Sequence, residues 1–240
     1  MAPGSTEHTV NLSIRNSMQD PLCPLCNAPG PTPFFEDDWR PYFRCLDCQL
    51  VFVPPEFHLS LQREKAEYDL HENSPEDPDY RNFLSRLFEP MQLRLPQQSH
   101  GLDFGSGPGP TLSVMFAEAG HQVEIYDPFY FDDPEKLERQ KTDSIDSSNQ
   151  YDFITASEVV EHLRDPATEL ARLWSCLKPK GILGIMTKQV QDRASFSRWH
   201  YKDDRTHICF FSQPTFQWLA SQWSSSAEFI GQDVVLFSRP

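Results

Sequence analysis

The chain has 240 residues, with 21 Lys plus Arg against 35 Asp plus Glu and a formal net charge of −14. A polyanion gripped by a broad basic face is therefore disfavoured, because nucleic-acid affinity rests on neutralising phosphates with Lys and Arg. The 18 Phe, 7 Tyr and 5 Trp supply enough aromatic surface for a core or a lined pocket, and no run approaches the roughly 18 apolar residues of a membrane span.

Residues 1–20 are polar, aperiodic and rich in Ser, Asn and Thr, and read as a disordered leader. They carry no apolar core like that of a signal peptide, so the expected location is cytoplasmic. Residues 21–54 hold two C-x-x-C pairs, Cys23-Pro24-Leu25-Cys26 and Cys45-Leu46-Asp47-Cys48, separated by 18 residues. Two thiolates two residues apart grip one ion from a single tight turn, and two such turns complete a tetrahedral site. The spacing predicts a zinc ribbon with a closed, structural metal. Disulfides are disfavoured by the cytoplasmic expectation. The ribbon's few basic residues, Arg40 and Arg44, are outnumbered by Glu36, Asp37, Asp38 and Asp47, which argues against DNA binding. Its aromatics, Phe34, Phe35, Trp39, Tyr42, Phe43 and Phe52, predict packing against the neighbouring domain. Cys176, in an apolar helical stretch, reads as core.

Residues 55–98 read as a helical lid or linker. A break at Ser74-Pro75-Glu76-Asp77-Pro78 is followed by Phe83, Leu84, Leu87, Phe88, Met91 and Leu95 at helical spacing. From residue 99 strands alternate with helices. Strands are expected at 101–104, 123–126, 151–156 and 181–187, and helices at 111–119, 166–177 and 214–223. Residues 227–237 read as two short strands around Gly231-Gln232, and any strand in the polar stretch 132–150 is weak. The alternation argues for a mostly parallel sheet covered on both faces.

The first of these strands runs into Asp103-Phe104-Gly105-Ser106-Gly107-Pro108-Gly109, ahead of a helix. Glycines there let the backbone approach a ligand beside the helix N-terminus. The second strand ends in Asp127, 24 residues after Asp103 and placed to hydrogen-bond a ribose diol. This combination resembles the class I S-adenosylmethionine-dependent methyltransferases. Asp103, Gly105, Gly107 and Gly109 match their first motif, and Asp127 matches the ribose-binding acid. Lys178-Pro179-Lys180-Gly181 matches a later K-P-G-G motif, with Lys180 where glycine is usual. The resemblance covers about residues 100–240. It implies a Rossmann-like α/β fold with a seven-stranded sheet whose last strand is antiparallel. It also implies S-adenosylmethionine as cofactor, with Phe104, Ser106, Pro128 and Ser157 beside the matched residues. In related enzymes N-terminal segments cover the cofactor, which makes Tyr68 and His71 lid candidates.

After the strand at 151–156 come Glu158, Glu161 and His162, which share a face if the segment is helical. Two carboxylates and an imidazole at a strand end, with His207 further along, are credible ligands for a divalent cation such as magnesium. The set resembles the small-RNA 2′-O-methyltransferases and the O-methyltransferases of ubiquinone biosynthesis, which implies the same four ligands here. The chain departs from the RNA enzymes at Leu163, where they carry a second histidine. His162, His207 and His200 are the catalytic candidates, and Trp199 and Tyr201 could line an acceptor pocket. The expected reaction is methyl transfer to a hydroxyl of a small-molecule acceptor. The rivals are an RNA, protein or sugar-carbon methyltransferase and a non-catalytic zinc-ribbon binding protein.

Overall fold

The computed structural model describes residues 21–70, 73–130 and 148–240. The expected leader at 1–20, the lid candidate His71 and most of the weakly patterned stretch 132–150 lie outside the described residues. Among the described residues no helix is long and apolar enough to cross a membrane.

The larger sheet contains β4 (His100–Phe104), β5 (Gln122–Tyr126), β6 (Tyr151–Ser157), β7 (Leu177–Met186), β9 (Ala227–Ile230) and β10 (Val234–Ser238). Their order is β5-β4-β6-β7-β10-β9. The first four strands are parallel, and β10 pairs antiparallel with both β7 and β9. The antiparallel last strand matches the resemblance. The count differs, with six strands among the described residues where seven are implied. The chain leaves β4 toward one edge and returns to place β6 on its other side. The carboxyl ends of β4 and β6 therefore flank a switch point, where ligands bind in open α/β sheets.

The helices form where caps and apolar spacing agree. Asp77 caps α2 (Pro78–Gln92) by accepting from the N–H groups of Asp79 and Tyr80, and Pro78 fits the first turn. Leu84, Leu87 and Met91 lie on its buried face and pack onto β7 at Gly184, where a Cβ would stand 2.3 Å from the Met91 sulfur. The apolar spacing runs on to Leu95, but the helix ends at Gln92, two residues past Pro90. α3 (Thr111–Glu118) follows the glycine turn. Asp165 caps α4 (Pro166–Cys176), which buries Leu170, Leu173 and Cys176. β7 begins four residues before the expected Gly181. Just before that glycine, Lys180 takes the left-handed conformation at φ 68°. An L side chain is strained there, which is the physical reason glycine is usual at that place in the motif.

The cysteine-bearing residues form a smaller antiparallel sheet of β1 (Thr32–Glu36), β2 (Pro41–Arg44) and β3 (Val51–Phe52). Its fourth strand, β8 (Cys209–Phe210), comes from the far end of the chain and pairs Val51 with Phe210 and Phe52 with Cys209. Phe196, from the short helix α5 (Arg193–Ser197), plugs the junction. Its ring meets Phe34, Tyr42 and Phe210 edge-on at 5.2, 5.1 and 5.3 Å and is 1% exposed. Of the other ribbon aromatics, Phe35 also meets Phe196 at 5.8 Å, Phe43 faces Phe52, and Trp39 is 70% exposed. Phe196→Ala empties this junction and should lower unfolding free energy by about 3–5 kcal/mol in urea titrations. A loss under about 1 kcal/mol would show that the junction is held by something else.

Candidate active site

β4 ends in a turn whose shape needs glycine. Gly105 and Gly107 have φ of 72° and 64°. A Cβ on Gly105 would stand 2.4 Å from Val159, whereas nothing lies within 4 Å of one built on Gly107. The Gly107 N–H donates to Asp127 Oδ2 at 2.9 Å, and the Phe129 N–H donates to Asp127 Oδ1 at 2.9 Å. Burial pushes the Asp127 carboxyl above the usual range, and these N–H groups pull it back.

A cavity of about 460 Å³ opens over this turn, a size that suits a cofactor. Of the predicted cofactor residues, Phe104, Gly105, Gly107, Asp127 and Pro128 line it, while Asp103, Ser106, Gly109 and Ser157 do not. Gly109 packs closely: a Cβ there would stand 1.9 Å from the carbonyl oxygen of Asn73. The sequence reading missed Tyr126, which stacks on Phe104 at 5.6 Å, and Arg172, whose guanidinium lies 5.5 Å from the Tyr126 ring. The signal that could have placed Tyr126 is its position as the last residue of β5, directly before Asp127.

α1 (Leu61–Tyr68) closes one side of the cavity. Tyr68 meets Phe129 and His162 edge-on at 5.2 Å each. Its hydroxyl donates to Glu64 at 2.9 Å, and Arg164 donates to the other Glu64 oxygen at 2.6 Å. Tyr130 reaches back to Asp69 at 3.0 Å.

The carboxylate–histidine cluster stands beyond β6. The segment is not the continuous helix under which Glu158, Glu161 and His162 would share a face. Glu158 sits in a left-handed turn at φ 52°, and Val160–His162 is one 3-10 turn. One ligand atom each from Glu161, His162 and His207 nevertheless lies within 4.8 Å of the others. Glu158 is outside that set, but its Oε2 accepts from the Tyr201 hydroxyl at 3.4 Å, and the same hydroxyl donates to Glu161 Oε1. His162 Nδ1 donates to the Thr206 carbonyl at 3.2 Å, and His207 Nδ1 donates to the Tyr201 carbonyl at 2.6 Å. A carbonyl only accepts, so both protons sit on Nδ1 and both lone pairs on Nε2, the arrangement of ligating histidines. Burial holds the His207 imidazole below its usual pKa, against the pull of the Asp204 carboxylate, whose Oδ2 lies 3.6 Å from Nε2.

Burial also pushes Glu158 up to about 7 and Glu161 up to about 8, the latter aided by the charge of Glu158. Glu158 Oε1 and Glu161 Oε2 are buried and accept no hydrogen bond from a described residue. Such oxygens are costly unless a cation or proton meets them, so the donor set fits a divalent ion. His200 stands apart, exposed, with Nε2 3.4 Å from Lys188 Nζ. Trp199 packs against Phe196 and Tyr201.

The four cysteines meet as their spacing predicts. Their sulfurs all lie within 4.8 Å of one another, with Cys23–Cys48 at 3.5 Å and Cys26–Cys45 at 3.4 Å. No disulfide joins them. A tetrahedron of Zn–S bonds near 2.3 Å has edges of about 3.8 Å, so the set fits zinc. Each C-x-x-C turn is followed by a left-handed residue, Asn27 at φ 58° and Gln49 at φ 63°.

Asp103 is buried in β4 and accepts from the Thr155 hydroxyl at 2.8 Å. Burial pushes its carboxyl up to about 7. Between about pH 4 and pH 7 the native state thus holds a proton that the unfolded chain has released, so this stability is present at low pH and lost as pH rises. Asp103→Asn should match the parent protein near pH 4 and exceed it by about 1–3 kcal/mol at pH 8 in urea titrations. An equal difference at both pH values would contradict this.

Residues 75–223 match the family model described as a methyltransferase domain. No curated protein matches the chain. Among solved structures the fold is similar to that of a chain in the complex of the Haloferax volcanii Trm112 methyltransferase activator with a methyltransferase. The identity is 12%, 74% of this chain and 97% of that chain are covered, and the TM-score is 0.53. It is also similar to Burkholderia thailandensis 1,6-didemethyltoxoflavin-N1-methyltransferase with bound 1,6-didemethyltoxoflavin and S-adenosylhomocysteine. There the identity is 16%, the coverage 87% and 99%, and the TM-score 0.51. Because the family model spans more than half of the chain, the chain belongs to the methyltransferase-domain family, and its fold is that of these solved methyltransferases.

Proposed function

We propose that the enzyme transfers methyl to a hydroxyl of a small-molecule acceptor held by a divalent cation. The observation that carries this reading is His162, which both lines the cofactor cavity and belongs to the cluster with Glu161 and His207. The methyl donor and the cation site thus share a wall. The net charge of −14 supports a small acceptor over RNA, as does the burial of Arg40, whose guanidinium is engaged with backbone carbonyls. The Burkholderia neighbour, named for a small-molecule acceptor, is consistent with this.

In this reading residues 21–54 are a zinc ribbon held by Cys23, Cys26, Cys45 and Cys48. Residues 55–98 are lid and linker, and 99–240 the catalytic domain. When bound, S-adenosylmethionine supplies a sulfonium methyl, and a divalent cation such as magnesium lowers the pKa of a coordinated hydroxyl. Gly105 and Gly107 leave room for the cofactor against the backbone. Asp127 hydrogen-bonds its ribose, and Phe104, Tyr126 and Pro128 flank it. Tyr68 and the rest of α1 keep water out. Glu161, His162 and His207 hold the cation, with Glu158 beside them adding negative charge. Orienting the acceptor in this way supplies much of a methyl transfer's acceleration, because the reaction needs in-line alignment.

Titration calorimetry with S-adenosylhomocysteine should show binding that Asp127→Ala weakens about 10- to 100-fold. Mn²⁺ binding, read by electron paramagnetic resonance, should be lost in His207→Ala while S-adenosylhomocysteine affinity holds. Unchanged cofactor affinity in Asp127→Ala would sink the assignment of the ribose acid. Unchanged Mn²⁺ binding in His207→Ala would sink the cation site.

A further inference from the structure

We propose that the four-cysteine module is a positioning element of the active site, acting through Arg40 on the segment 201–207. This rests on the reading of Glu161, His162 and His207 as the cation site. Arg40 is 3% exposed, and it makes no salt bridge among the described residues. Its guanidinium is spent on backbone instead. It donates to the carbonyls of Arg205 at 3.0 Å, Lys202 at 2.8 Å and Asp204 at 2.9 Å, and its Nε donates to the Tyr42 hydroxyl at 3.0 Å. Tyr42 in turn donates to Asp37 at 2.7 Å and lies 3.3 Å from the Lys202 carbonyl.

Three carbonyl oxygens from four consecutive residues converge on this one guanidinium. A buried guanidinium, with five donors in a planar fork, is suited to hold them. Adhesion of the module alone would not need it, because the Phe196 junction already supplies apolar contact. The captured segment contains two working parts of the cluster. It begins at Tyr201, whose hydroxyl lies on Glu161, and ends at His207, whose Nδ1 donates to the Tyr201 carbonyl. Arg40 does not touch the Tyr201 carbonyl itself; it holds the next carbonyl along, that of Lys202, and two more before His207, and so acts on the His207 ring through the backbone that joins the two partners of that contact. On the other side Arg40 immediately precedes β2, which runs directly into Cys45. The line runs from the cysteine knuckles through β2 to Arg40, then to the segment, then to His207. Arg40 is a positioning residue and touches no reactant.

The test is ¹⁵N NMR of the histidine rings in the full-length protein, with His207→Gln to assign the His207 signal. Wild type should show His207 as the Nδ1–H tautomer. Arg40→Ala should keep one zinc per chain and S-adenosylhomocysteine affinity within about twofold. It should also convert the His207 signal to a tautomer mixture and weaken Mn²⁺ binding about tenfold, as loss of outer-shell support does. Arg40→Lys, which restores the charge and part of the bonding, should recover part of both. A His207 signal unchanged in Arg40→Ala overturns the proposal. If Arg40→Ala loses zinc or cofactor binding, Tyr42→Phe decides: a shifted His207 signal supports the proposal and an unshifted one overturns it. If wild type binds no Mn²⁺, the cation reading fails by itself, and the tautomer change alone judges the role of Arg40.

Discussion

Burying Glu158 and Glu161 near each other at the end of β6 is the constraint around which the site is organised. Each keeps a buried oxygen that accepts no hydrogen bond from a described residue, and burial raises the proton affinity of both. Left alone, such a pair is destabilising, because carboxylates lose hydration without gaining partners. The surrounding residues are arranged to make that arrangement tenable. Tyr201 places one hydroxyl against both acids. His162 and His207 turn their Nε2 lone pairs inward because backbone carbonyls hold their Nδ1 protons. Two imidazoles and the Glu161 carboxyl, one ligand atom of each within 4.8 Å of the others, form a donor set complementary to a divalent cation.

The cavity over the glycine turn depends on backbone rather than on side chains. Gly105 and Gly107 adopt left-handed conformations that bring the chain under the cavity without a side chain in the way. Asp127 closes the rim because its carboxylate is tied to the N–H of Gly107, so the rim and the turn are set together. His162 is where the cavity and the cluster meet. Its ring packs against Tyr68 of α1, lines the cavity and belongs to the cluster. The small sheet is continuous with this centre, since β8 lies in the same stretch of chain as His207 and pairs with β3.

Much of this was legible in the residues, for reasons that differ from place to place. The alternation of strands and helices followed from apolar periodicity and caps such as Asp77 and Asp165. The cysteine knuckles were legible because thiolate pairs at that spacing have few other uses. The strand–helix–strand passage from Asp103 to Asp127 was legible because apolar strands and a glycine turn mark its ends. Other features were hidden because they depend on contacts between distant residues. Nothing local to Arg40 tells that it binds the carbonyls of residues 202, 204 and 205, more than 160 positions away. The pairing of β8 with β3 is equally non-local. The close packing of Gly109 against Asn73 depends on a segment some 36 residues earlier. Glu158, read as a ligand on a helical face, sits in a left-handed turn that separates it from the Glu161–His162–His207 set.

The central claim is that a nucleoside site and a cation site share the wall formed by His162. The most direct measurement is a crystal structure with S-adenosylhomocysteine and Mn²⁺, with diffraction collected at the manganese absorption edge. The account predicts the ribose hydroxyls on Asp127 and an anomalous peak among Glu161, His162 and His207. A nucleoside bound elsewhere, or a cluster without an anomalous peak while the cofactor is in place, would contradict it.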